Sequence, residues 1–81
     1  MTTEIKRLID NRMKSFEDNL SYWDKKRNEV NLHFHIEATT REICGYVFAM
    51  WDADLINHDE WEELRDIIHE KRMKVLFPKR K

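Results

Sequence analysis

Glycine and proline are almost missing from this chain, with one of each, Gly45 and Pro78, among 81 residues. A many-turned β-sandwich or barrel, a Gly-rich phosphate loop and a Rossmann turn all need glycines, for positive φ or for close backbone approach to a ligand. None of them fits. Cysteine is equally scarce: a lone Cys44 closes no internal disulfide, and no CxxC or Cys-His spacing offers structural zinc. A reducing compartment is therefore expected. The longest apolar run, Ile43 to Trp51, has nine residues, where a membrane span needs about 20. Met1 to Arg12 mixes apolar with charged residues and lacks the uncharged core of a signal peptide. The expectation is a cytoplasmic protein with no membrane partner. Charge of one sign is also lacking, since 15 Lys and Arg face 16 Asp and Glu. Leu, Ile, Val and Phe still make up 20 of the 81 residues, above the range of about one fifth in which chains stay disordered.

What is present is helical periodicity. Ile5, Leu8, Ile9, Met13, Phe16, Leu20 and Trp23 recur at steps of three and four, which predicts a helix over about residues 3–24 with the Thr3 hydroxyl near its start. From Val30 to Glu37 the pattern changes: Val30, Leu32, Phe34 and Ile36 alternate with Asn31, His33, His35 and Glu37. That period of two predicts a short extended segment at 30–37, with a distorted helical linker as the alternative. Thr39 and Glu42 have the T-x-x-E spacing of a capping box, so a second helix is expected over about 39–55. Asn57 and Glu60 repeat the arrangement, flanked by Ile56 and Trp61 as a hydrophobic staple, and predict a third helix over about 57–76 that ends before Pro78. The expected fold is mainly α, a three-helix domain spanning residues 1–81, without internal repeats.

The second helix points to a partner. At 100° per residue, Tyr46, Met50, Ile43, Val47, Trp51, Cys44, Leu55 and Phe48 cover roughly 200° of its circumference, and Gly45, Ala49 and Ala53 make a small-residue stripe on the other side. A helix apolar or small almost all round is buried, and two neighbouring helices do not easily cover every side. Either the 30–37 segment roofs it, or one face forms an interface with a second copy of the chain or another partner. Phe48, Trp51, Leu55 and Phe34 are the candidate interface residues, and Trp61 is expected in the core.

Other features carry less chemistry. Residues 52–70 hold eight acids against Arg65, and residues 71–81 hold six bases and no acid. Acids early in a helix and bases late in it are what the helix dipole favours. Lys79, Arg80 and Lys81 fall beyond the expected helix and remain as candidate nucleic-acid contacts, giving weak binding at most. His33 and His35 would share one face of an extended segment, but no third ligand is placed near them, so no metal is expected. Cys44 reads as a small core residue. The pairs Asp52/Asp54 and Glu62/Glu63 have no cleft to shift their pKa values, so neither catalysis nor a cofactor is expected.

The stretch Trp51 to Leu64, WDADLINHDEWEEL, resembles helical hairpins of short phage, prophage and plasmid proteins and of short C-terminal oligomerisation modules. It covers 14 of 81 residues and is largely a capping box with its staple. The resemblance implies a small accessory protein that works by binding, and it supplies no site residues. The resulting expectation is a non-enzymatic regulator, homodimeric and protein-binding, of the phage or mobile-element kind. The alternative is a small dimeric nucleic-acid-binding regulator that uses the basic tail with Lys25, Lys26 and Arg27.

Overall fold

The computed structural model describes residues 1–78. Three helices follow one another, α1 Thr3–Asp24, α2 Leu32–Asp52 and α3 His58–Leu76, and there is no strand among the described residues. The mainly α, three-helix expectation holds, and the internal boundaries teach the most.

α1 matches its expected span, though its cap is Thr2 rather than Thr3: the Thr2 Oγ1 accepts the Ile5 N–H at 3.2 Å. Ile9, Phe16 and Leu20, spaced seven and four apart, are its buried residues.

α2 corrects two expectations at once. It begins at Leu32, so residues 32–37 are helical, and the predicted start at 39 falls mid-helix. The four alternating apolar residues do not share a face, since Leu32 and Ile36 are 8% and 0% exposed but Val30 and Phe34 are 94% and 69% exposed. Leu32, Ile36, Thr39, Ile43, Val47 and Met50 instead follow one another at steps of three and four and line one buried stripe. Continuing the helix back to Leu32 buries two large side chains that an isolated strand would leave without a sheet. Thr39 is no cap either. Its buried Oγ1 accepts a hydrogen bond from Asn19 Nδ2 of α1 at 3.1 Å, and the neighbouring Thr40 hydroxyl donates to the Ile36 carbonyl at 2.7 Å. The actual N-cap, Asn31, makes no side-chain capping bond, so the true start carries no local sequence signal.

The far end of α2 stops at Asp52, three residues before the expected Leu55. Asp54 has φ 60°, the left-handed conformation that a helix-terminating residue adopts and that glycine usually supplies. Two hydrogen bonds complete the stop, Leu55 N–H to the Met50 carbonyl at 2.9 Å and Asp54 N–H to the Trp51 carbonyl at 3.0 Å. That pair is the Schellman pattern. Replacing Asp54 by glycine removes the steric cost of a Cβ at positive φ, so Asp54→Gly is expected to raise stability by about 0.5 to 1 kcal/mol in urea denaturation. An unchanged or lowered midpoint would show that the Asp54 side chain offsets the strain.

α3 begins as expected. Asn57 Oδ1 accepts the Glu60 N–H at 2.8 Å, and Glu60 Oε1 accepts the Asn57 N–H at 2.9 Å, a complete capping box. The Asn57 N–H and the Met1 ammonium, 3.1 Å away, hold the Glu60 carboxyl below its usual value. Its contribution is therefore present above the ordinary Glu value of about 4.3 and is lost as pH falls through the lower folded value.

Ile9, Phe16, Leu20, Leu32, Ile36, Ile43, Val47, Met50, Ile56 and Ile68 form one core. α2 packs against both α1 and α3, which touch each other less. The basic end of α3 is tied back onto its neighbours: Lys71 pairs with Glu17 of α1 at 2.5 Å, and Arg72 with Glu37 of α2 at 2.5 Å. Arg27, from the α1–α2 turn, donates to the Val75 carbonyl at 2.6 Å and so satisfies an acceptor in the last turn of α3. No helix among the described residues is long and apolar enough to cross a membrane.

Candidate functional site

The Schellman stop and the capping box fold α2 and α3 into a hairpin about Ile56, which is buried. Residues equally far from Ile56 in sequence meet across it. Trp51 and Trp61, five residues to either side, stack with ring centroids 4.5 Å apart and planes 20° from parallel. Phe48 meets the Trp51 ring edge-on at 5.7 Å, and the Arg65 guanidinium lies 4.9 Å from the centre of the Trp61 ring. His58 lies beside both indoles, 5.4 Å from Trp51 and 5.7 Å from Trp61. Below this aromatic ledge runs a groove of about 180 Å³ lined by Cys44, Val47, Phe48, Trp61, Arg65 and Ile68. The twelve-residue offsets of Cys44 and Ile68 from Ile56 obey the same rule.

Of the expected interface residues, Phe48 and Trp51 lie in this cluster, Leu55 sits in the adjoining turn, and Phe34 lies elsewhere. Phe48 is 50% exposed, Leu55 is 44% exposed in the hairpin turn, and Trp51 is half-buried beneath Trp61. Phe34 lies 14 residues from Phe48, about 21 Å along the helix axis, at the opposite end of α2. There it belongs to a second group of rings, in which His35 stacks on Trp23 at 3.8 Å with planes 4° apart and Phe34 meets His35 edge-on at 5.6 Å. Trp61 is half-buried and packed against the core, with Arg65 over its ring. Sequence reasoning placed Trp61 in the core and missed His58 and Arg65 as members of this cluster. The symmetric spacing about the capping box was the available signal. Lys79, Arg80 and Lys81 lie outside the described residues.

α2 has a third side that the sequence reading took as a surface for close helix approach. Its buried stripe faces one way, and Arg41, Gly45, Phe48, Ala49 and Asp52 are exposed on the opposite side. A Cβ built on Gly45 would meet nothing within 4 Å. The stripe of small residues therefore packs against no element of the described fold.

Burial pushes the Cys44 thiol up from its ordinary value, against a weaker lowering by Arg72, so near neutral pH the sulfur is a thiol rather than a nucleophilic thiolate. Alkylation of the folded protein at pH 8 is accordingly expected to be several-fold slower than that of the urea-unfolded chain. Equal rates would show an activated cysteine. His33 and His35, two apart on a helix, do not share a face as they would on a strand: His33 lies against Phe77 and His35 against Trp23. Among the described residues, donors close enough for a metal occur at His58, Asp59 and Glu62, within 4.8 Å of one another and mostly exposed. His58 Nε2 and Glu62 Oε1, 3.6 Å apart, make an ordinary surface pair one helical turn apart.

No protein-family model matches the chain, and neither a curated protein nor a solved structure matches it.

Proposed function

We propose that this protein is a non-enzymatic accessory factor that acts by protein–protein binding. The surface used would run from the outward side of α2 onto the Trp51–Trp61 ledge. The observation that carries this reading is Phe48: a large aromatic, half exposed, that borders both an apolar groove and an open helix face. Aromatic residues and arginine are the side chains most enriched at interface centres, and here Phe48, Trp51, Trp61 and Arg65 lie together. The resemblance of the Trp51–Leu64 hairpin to short phage and plasmid proteins favours the same class.

Affinity capture from the native host with the wild-type chain and with Phe48→Glu tests the reading. Phe48 contributes an exposed ring, so the variant is expected to keep its circular dichroism and lose the captured protein. Retention of the same proteins by a folded Phe48→Glu would refute binding through this surface.

A further inference from the structure

Resting on the reading of α2 as a binding surface, we infer that the occupant of its outward face is a second copy of this chain, packed antiparallel, α2 against α2. Two charges on that face have no partner in the described fold. Arg41 and Asp52 are both exposed, and neither makes an ion pair among the described residues. The acid one turn before Arg41 is Glu37, which is engaged by Arg72 at 2.5 Å. Asp52 closes α2, where the helix dipole disfavours an acid, and the last turn of α2 contains no base. Each charge is locally uncompensated, and each is what the other needs.

Their spacing sets the geometry. Arg41 and Asp52 are eleven residues apart on the same side of α2, about 16 Å along its axis. Turning a second α2 end for end about a two-fold axis level with the Tyr46–Val47 peptide brings Arg41 of each copy to the height of Asp52 of the other. Two ion pairs form, as an isologous interface requires. The same operation sets Phe48 of each copy at the height of the other's Gly45, where the missing side chain leaves a recess open to the outside. A protruding ring over a glycine, repeated twice and bracketed by two opposite-charge pairs, is self-complementary in shape and in sign. A parallel pairing would instead set Arg41 against Arg41 and Asp52 against Asp52. On this face the interface runs through positions opposite the core stripe, so association leaves the monomer fold intact. One helix face covers an area at the low end for stable complexes, so the dimer is expected to be reversible, with a Kd on the order of tens of micromolar.

Sedimentation equilibrium of the full chain from 5 to about 300 µM, in low salt, tests this directly. The wild type is expected to shift from monomer to dimer across that range. Arg41→Asp and Asp52→Arg should each weaken the dimer about tenfold or more by setting like charges opposite each other, and the double swap should recover the wild-type constant to within about threefold. Gly45→Gln is the orthogonal variant: it replaces a poor helix former at an exposed position where an added Cβ meets nothing, so Tm should rise at low concentration while dimerisation is lost. A wild type that stays monomeric at 300 µM overturns the proposal, as does a folded double swap that fails to recover. Either result leaves host-protein capture through Phe48 standing or falling on its own experiment.

Discussion

Ile36→Ala is expected to cost about 2 to 5 kcal/mol, while Phe34→Ser, two residues earlier, should change stability by no more than about 0.5 kcal/mol. The contrast follows from where the helix places them. Ile36 is fully enclosed in the core and Phe34 is 69% exposed. Truncating Ile36 removes three carbons from a packed interior and leaves a cavity that neighbouring helices cannot fully close. A chain of this size has roughly 0.05 to 0.15 kcal/mol of stability per residue, or about 4 to 12 kcal/mol in all, so the upper part of the expected loss would leave Ile36→Ala partly unfolded at 25 °C. Were residues 30–37 a strand with one apolar face, Val30, Phe34 and Ile36 would be equivalent, and their substitutions would cost alike. Urea titrations of Ile36→Ala, Phe34→Ser and Val30→Ser discriminate the two arrangements. Equal midpoints for all three would contradict the helical placement.

The same segment shows how far the sequence was legible. α1 and α3 were readable to within a residue or so, because each carries its apolar residues at helical steps and begins at or next to a residue expected to cap it, Asn57 for α3 and, one residue off, Thr3 for α1, whose cap is Thr2. α2 lacks both aids at its start. Asn31 makes no capping bond, and the T-x-x-E motif at Thr39 lies where the hydroxyl serves an interhelical hydrogen bond instead. Because Val30 and Phe34 are exposed aromatic or aliphatic residues interleaved with polar ones, they mimic a strand face that no sheet exists to use. The early stop at Asp52 was hidden for a related reason: the left-handed residue that ends the helix is Asp54, not the glycine by which such stops are usually recognised. Of the aromatic cluster, Phe48 and Trp51 stood out in the sequence. Its dependence on Trp61 and Arg65 required knowing that the hairpin folds about Ile56. Phe34 was grouped with them, whereas helical continuation through 32–37 carries it to the other end of α2.

Trp61→Ala is expected to lower stability by about 2 to 4 kcal/mol, somewhat less than the 3 to 5 kcal/mol of a fully buried ring, because Trp61 is only half-buried. For a domain of this size that corresponds to a fall in Tm of roughly 10 to 25 °C. Two contributions make up most of the loss. One is burial against the core. The other is the stacked pair with Trp51, worth about 0.5 to 1.5 kcal/mol beyond area, which a double-mutant cycle of Trp51→Ala, Trp61→Ala and the double variant isolates as a coupling energy. The Arg65 guanidinium over the outer face adds a third contact, and Arg65→Ala should cost only about 0.5 to 1 kcal/mol because that side remains wetted. The order of effects matters for function. A residue that both holds α3 against α2 and edges the groove beside Phe48 would disturb binding through loss of fold as much as through loss of contact, so Trp61→Phe, which keeps a ring on Trp51, is the informative functional variant. It should retain most of the stability that Trp61→Ala loses, and any defect in partner capture that persists in it reports the exposed edge of the indole. A melting curve for Trp61→Ala matching that of the wild type, or a coupling energy with Trp51 indistinguishable from zero, would show that the two indoles do not hold the α2–α3 hairpin together.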